Sequence, residues 1–257
     1  MKKGQKLWTR DELILAINLY LKLPFGRMHR GNPDVVELAQ LLNRTPNSVA
    51  YKLVNFASLD PSLQARGIKG ASNTSKLDRD VWDEFYEHWD ELPYQSETML
   101  AKLKNSSIEK VYRIPEEELP KQGIMRERLI RARVNQSFFR SSILAAYNGT
   151  CCITGLQVPE LLVAGHIRPW ATDEKNRLNP QNGIAINGLH DKAFERGLIT
   201  ITTDYKVKVS KLLKKQGDSE EIKMYFLKYE NKSIILPSRF LPDPEFLNYH
   251  NTQRFIA

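Results

Sequence analysis

Through roughly the first 90 positions, apolar residues recur at helical spacing. Leu13, Ile17, Tyr20 and Leu21 fall on one face of a segment that Thr9-Arg10-Asp11-Glu12 opens and Leu23-Pro24-Phe25-Gly26 closes. The threonine hydroxyl and glutamate carboxylate of that opening can each engage an orphan backbone N–H. Val35, Leu38, Ala39 and Leu42 mark a second helix, with Asn32 as its cap and Pro33 at its first position. Asn43-Arg44 separates it from a third, which Thr45-Pro46 opens in the same way and whose apolar stripe is Val49, Leu53 and Phe56. Helices joined this tightly predict a helix-turn-helix. Its outward residues, Asn47, Ser48, Tyr51, Lys52 and Asn55, are of types that contact phosphates or base edges, although such a module serves equally as packing scaffold. The acidic stretch from Asp78 to Glu91 reads as a fourth helix packed through Trp82, Phe85 and Trp89.

Periodicity lapses from Gln95 to Gly123, where Pro115, Pro120 and Gly123 punctuate a linker with one short helix around Met99 to Leu103. A helix then runs from Gln136 to Tyr147 with Phe139, Ile143 and Ala146 inward. Arg131, Arg133 and Arg140, with Arg126 and Arg128, form a cluster that either holds a phosphate backbone or faces solvent. Cys152–Gly155 and Leu161–Ile167 read as two short strands around a turn at Val158-Pro159-Glu160. A loop opened by Arg168-Pro169-Trp170 and rich in Asp173, Asn176, Asn179 and Asn182 leads to a helix over Leu189–Arg196, stopped by Gly197. Ile199, Ile201, Tyr205, Val207 and Val209 alternate like strands, and the basic run Lys211 to Lys215 follows, tracking phosphates or facing solvent. The predicted class is α+β: a helical, helix-turn-helix-like module over 1–92, a linker over 93–124 and a mixed domain over 125–257.

A net charge of +8 and a pI near 9.3 favour a polyanionic partner, because each phosphate contact releases condensed counterions. No apolar run approaches the ~18 residues that span a bilayer, so a membrane protein is not expected. The start, Met1-Lys2-Lys3-Gly4-Gln5 followed by Leu7-Trp8-Thr9-Arg10, has no apolar leader core, which predicts a cytoplasmic protein. Cys151 and Cys152 are adjacent, so neither a disulfide framework nor a thiolate zinc site is expected.

Hydrolysis of a phosphodiester needs a base for water, a cation for developing charge and something to steady the leaving oxygen. His166, at a predicted strand end, suits the base, because neutral imidazole accepts a proton near neutral pH. Asp191 and Glu195, one helical turn apart, present two hard oxygen ligands for Mg²⁺ or Mn²⁺, or else a solvated acidic face. His29, His88 and His250 stand outside any such pattern.

The stretch 136–205 resembles the HNH, or ββα-metal, nuclease family. The family's His ending a strand, Asn in the following loop and His or Asp in the next helix correspond to His166, Asn182 and Asp191, at intervals of 16 and 9 residues. The resemblance implies that His166 is the general base, that Asn182 fixes the loop through its backbone and that Asp191 binds the metal. The run from Asn182 to Leu198 is similar to a subfamily found among restriction and phage-defence enzymes. His190 joins the metal, contacts the scissile phosphate or packs, and Asn187 serves the leaving group or the loop. One departure stands out: the residue before the base, often a further ligand, is Gly165. The implied protein is a divalent-metal DNA endonuclease, with Arg168 and Lys52 added to the DNA-contacting arginines. Cutting both strands favours a homodimer, and residues 1–90 are alternatively a dock for a defence partner. The rival reading, favoured by Gly165, is a DNA-binding regulator that keeps the fold without catalysis.

Overall fold

The computed structural model describes residues 6–68 and 74–257; Met1 to Gln5, which entered the argument against a leader, lie outside the described residues. The chain divides into two compact units, Met1–Ser141 and Ser142–Ala257.

The first unit is helical. It comprises α1 (Arg10–Lys22), α2 (Pro33–Leu41), α3 (Pro46–Leu59), α4 (Pro61–Ala65), α5 (Lys76–Glu87), α6 (Leu92–Leu103), α7 (Ile108–Val111) and the first part of α8 (Ile124–Ala146). The capping box at Thr9 and the side-chain caps at Asn32 and Thr45 form as their local chemistry dictates. Helix α1 is buried along almost its whole length because α2, α3, α5 and α6 all pack on it. Tyr20, Phe56 and Trp82 meet at the centre, Tyr20 edge-on to both neighbours and Phe56 stacked on Trp82.

The stretch expected to be a linker is ordered. Helix α6 turns Leu92, Pro93, Ser96, Glu97 and Ala101 inward, and Glu97 accepts hydrogen bonds from Asn18 (2.7 Å) and Lys22 (2.6 Å) on α1. Two of those inward residues are polar, which is why no apolar stripe marks the helix. Beyond it, Leu119, Ile130 and Val134 form a small second core with Ile108, Tyr112 and Ile114, tying the following segment to the first part of α8.

The tight α2–α3 turn forms, with Asn43 at φ 49°, and α3 leaves Asn47 and Tyr51 exposed, but two of the residues assigned to DNA turn inward. Lys52 is buried, donates to Asp78 at 2.7 Å and lies 5.3 Å from the Trp8 ring. Asn55 is buried as well. A buried lysine already paired with a carboxylate cannot be offered to a phosphate, so Lys52 is an internal ion pair of the bundle.

The second unit carries the end of α8, then β1 (Leu162–His166), β2 (Gly183–Asn187), α9 (Gly188–Glu195), β3 (Ile199–Ile201), β4 (Val207–Val209), α10 (Lys211–Lys214), α11 (Glu220–Tyr225) and α12 (Pro244–Gln253). Strands β1 and β2 pair antiparallel from Leu162↔Asn187 to His166↔Gly183, and β3 pairs with β4. Helix α9 lies against β1, β2 and β3, and α12 packs on β3.

The predicted first strand, Cys152–Gly155, is instead a turn with Gly155 at φ +77°. Cys152 keeps only single backbone bonds, donating to Ala185 and accepting from Ile235, both at 2.7 Å. The partner of β1 is the segment Gly183–Asn187, which lies in the expected loop before the helix. Its first four residues are all buried, so it lacks the alternation that announces a half-exposed strand.

Candidate active site

The antiparallel register brings the last residue of β1, His166, opposite the first of β2, Gly183, so the loop 167–182 begins and ends at one point. Asn182 ties that point together. Fully buried, it accepts from the Arg168 N–H at 2.7 Å through Oδ1 and donates through Nδ2 to the carbonyls of Arg168 (3.2 Å) and Asn176 (3.1 Å). Its own carbonyl accepts from Ile167 N–H at 2.9 Å. An amide is the only side chain that offers both an acceptor and two donors in this geometry, so the position selects asparagine on physical grounds.

The clamped loop orients the histidine. The Arg177 carbonyl lies 2.9 Å from His166 Nε2. A carbonyl only accepts, so Nε2 carries the proton and Nδ1 holds the basic lone pair. Burial lowers the imidazole pKa, against the opposing pull of that carbonyl, which keeps the ring neutral at physiological pH. Trp170 stands edge-on to His166 at 5.4 Å and forms part of the same wall.

Helix α9 supplies the opposite chemistry. Asn187 caps it by accepting from His190 N–H at 3.0 Å, and from there Asp191 and Glu195 project one turn apart. Both carboxylates, with Gly165 and His166, line a cleft of about 280 Å³ that Trp170, His250 and Arg254 also border. Asp191 is half-buried and its pKa is raised, first by burial and then by the negative charge of Glu195. Glu195 is exposed and held low by a 2.7 Å bond from Lys192.

Gly165 explains itself here. A Cβ built on it would stand 2.7 Å from Asp191 Oδ1 and 3.2 Å from Ile186 Cγ2. The space a side chain at 165 requires is occupied by the Asp191 carboxylate, so glycine lets that carboxylate approach the strand that carries the base.

Residues 151–202 match the HNH_2 family model, described as HNH endonuclease. No curated protein matches the chain. The match supports nuclease chemistry on nucleic acid, and the matched segment spans β1, β2, α9 and β3.

Within the matched segment the ligand set is sparse. Among the described residues no three His, Cys, Asp or Glu side chains converge as a metal site. The available donors are the α9 carboxylates. Two hard oxygens fit a divalent cation that keeps several waters, and a cation would offset both the burial that mainly raises the Asp191 pKa and the smaller repulsion from Glu195. His190 does not reach the cleft. It is buried, donates through Nε2 to the Tyr225 carbonyl at 2.7 Å, and its Nδ1 lies 2.8 Å from Asn187 Nδ2. Of the three roles left open for it, the geometry gives packing, with Phe226 and Tyr229 edge-on to the ring. Asn187 is the helix cap and a neighbour of the Cys151 sulfur, whose Sγ lies 3.3 Å from its N–H.

The arginines separate. Arg168 stays beside the site, its guanidinium paired with Asp173 at 3.1 Å and laid over Phe246 and Tyr249. The others lie in the helical unit: Arg131 donates to the Asp90 carbonyl, Arg133 pairs with Glu118, and Arg140 is half-buried. Two residues that sequence reasoning missed border the cleft. Arg254 donates to the Glu195 carbonyl at 2.9 Å, and His250 stacks on Phe194 at 3.7 Å while its Nε2 donates to the Phe194 carbonyl. Both come from α12 and the residue after it, more than 50 positions beyond the motif, and no local signal connects them to it.

Proposed function

We propose that the protein is a divalent-metal-dependent endonuclease that hydrolyses phosphodiester bonds in DNA, serving restriction or phage defence. The observation that carries this reading is the cleft in which a neutral, loop-oriented His166 and the half-buried Asp191 share one space with no Cβ at position 165 between them. Nδ1 of His166 takes a proton from water, the resulting oxygen attacks phosphorus, and the bond to the leaving oxygen breaks as that oxygen takes a proton from a second, solvent water. Asn182 holds the loop so that the imidazole keeps its angle through the reaction. Asp191 and Glu195 are the residues that would hold the ion. When bound, Mg²⁺ or a similar cation supplies neutralisation of charge at the phosphate oxygens. Glu195 would be free to hold it once its exposed bond to Lys192 is exchanged, a change of at most about 1 kcal/mol.

The test is cleavage of supercoiled plasmid and phage genomic DNA by the purified protein with Mg²⁺, Mn²⁺ or EDTA, beside His166→Ala and Asp191→Ala. Metal-dependent nicking or linearisation lost in both variants is the expected result. A second reading, a DNA-binding regulator without catalysis, draws on the two-carboxylate donor set. Retained duplex binding with no cutting under any ion would select it. Size measurements during the assay also test the proposed homodimer.

A further inference from the structure

Two depressions lie side by side in the second unit. One is the active cleft. The other, about 560 Å³, is walled by Arg168 and by α12 residues Glu245, Asn248, Tyr249, Thr252 and Gln253. The same two chain segments border both: His166 and Trp170 face the cleft while Arg168 faces the groove, and His250 and Arg254 face the cleft while Asn248 and Thr252 face the groove. The groove residues of α12 recur at intervals of three and four, the signature of one helical face, and Asn248, Thr252 and Gln253 are exposed.

Their chemistry is selective. Asn, Gln and Thr pair with base edges in a major groove, whereas phosphates call for cations. Here the neutral amides and hydroxyl lie on the helix face and the cations lie at its margins, Arg168 across the groove and Arg254 at the helix end. Glu245, at the opposite end, repels a phosphate backbone and turns that part of the face toward bases as well. Arg168 is pre-positioned, since Asn182 holds its backbone N–H and carbonyl, and Phe246 and Tyr249 support the guanidinium 4.8 and 5.2 Å from their ring centres; unlike the buried Lys52, it is part-exposed, and its 3.1 Å pair with Asp173 leaves the rest of the guanidinium fork for a phosphate. Five residues of helix advance about 7–8 Å, which matches about two base-pair steps.

We propose that the outward face of α12 reads duplex DNA beside the cut, with Asn248, Thr252 and Gln253 meeting base edges and Arg168 meeting a flanking phosphate. The proposal rests on the nuclease reading and assigns that enzyme its sequence preference.

The experiment measures binding of the full chain to a labelled duplex in EDTA, where no cutting intervenes, and maps cut positions with metal restored. Asn248→Ala/Thr252→Ala/Gln253→Ala should weaken duplex binding at least ~10-fold with an unchanged salt slope and should flatten the distribution of cut sites. Arg168→Ala should lower the salt slope by about 1. Asn248→Glu, a single exposed change that leaves the packed face of α12 intact, should weaken binding by a similar factor. Parental affinity and parental cut sites in the triple variant and in Asn248→Glu overturn the proposal, as does a parent chain with no affinity for duplex. If the parent binds duplex, the α12 variants lose that binding, and nothing cuts, the α12 assignment stands and the nuclease reading falls.

Discussion

Replacing Gly165 by alanine separates the geometry of the site from the stability of the fold. The added Cβ would lie 2.7 Å from Asp191 Oδ1, about 1 Å inside ordinary contact. The backbone of Gly165 is an ordinary strand conformation with no positive φ, so alanine itself is unstrained there and gains about 0.4–1 kcal/mol by restricting the unfolded chain. The close neighbour is the far end of a side chain, which yields by rotating, at about 0.5–1.5 kcal/mol if it leaves its rotamer. These opposing effects leave stability within about 1 kcal/mol of the parent, a shift of about 2–4 °C in melting temperature for a chain of this size. Activity has no such compensation. A carboxylate displaced by about 1 Å costs on the order of 100-fold in rate. Initial rates of plasmid nicking, measured with thermal unfolding of the same samples, give the answer. If Gly165→Ala melts with the parent and cuts at the parental rate, the position of Asp191 against β1 is irrelevant to catalysis, and the argument from the missing Cβ fails.

Other predictions follow from individual groups. His250 is buried with its pKa lowered to about 4. A histidine depressed when folded favours the unfolded chain once that chain protonates, so stability is intact above pH ~6.5 and falls by about 3 kcal/mol as pH drops toward 4. Urea unfolding at pH 7.5 and 4.5 should show this pH-dependent loss shrinking in His250→Gln; an equal loss in both proteins would refute the assignment. Asn182→Ala orphans the part-buried N–H and carbonyl of Arg168 and should cost at most about 1–3 kcal/mol for each group left unsatisfied. Asn182→Asp should be at least as damaging, because it turns an acceptor toward the carbonyls of Arg168 and Asn176; denaturant midpoints that rank it near the parent would contradict the clamp. Lys52→Ala strands the buried Asp78 carboxylate and should destabilise by about 3–5 kcal/mol. DNA affinity per folded molecule should stay unchanged in that variant, and a selective loss of binding in a gel shift would restore Lys52 to the DNA-contacting set.

What could be read from the sequence was the chemistry that acts over a few residues. The caps at Thr9, Asn32 and Thr45 each need only a side-chain oxygen and an N–H two or three positions on, so the pattern and the bond coincide. The spacing of His166, Asn182 and Asp191 was legible for a related reason: a strand end, a loop return and a helix face have fixed lengths, and a matching interval carries the geometry with it. Burial was harder. Lys52 looked outward because a lysine on an amphipathic helix ordinarily snorkels to water, and only α5, bringing Asp78 from 26 residues away, makes an interior place for it. Only the end of α6, around Met99 to Leu103, was legible, for the same reason in reverse, because a glutamate and a serine lie on the inward face of its earlier turns.

The cleft shows where local reading ends and why. The motif specifies β1, the loop and α9, which with β2 place a base against a carboxylate. The remaining border is the end of α12, brought in because Gly197, at φ +69°, leaves the chain after α9 with no Cβ where the Arg254 carbonyl lies. A Cβ there would collide with that carbonyl, and the neighbouring Ile256 N–H donates to the Gly197 carbonyl at 2.9 Å. Gly197 thus has two tasks, ending the helix and seating the tail, and only the first has a sequence signature. Any side chain at 197 lifts the tail and takes Arg254 away from the Glu195 carbonyl. A glycine that looks like simple helix punctuation therefore completes the cleft, by a contact between positions nearly 60 residues apart.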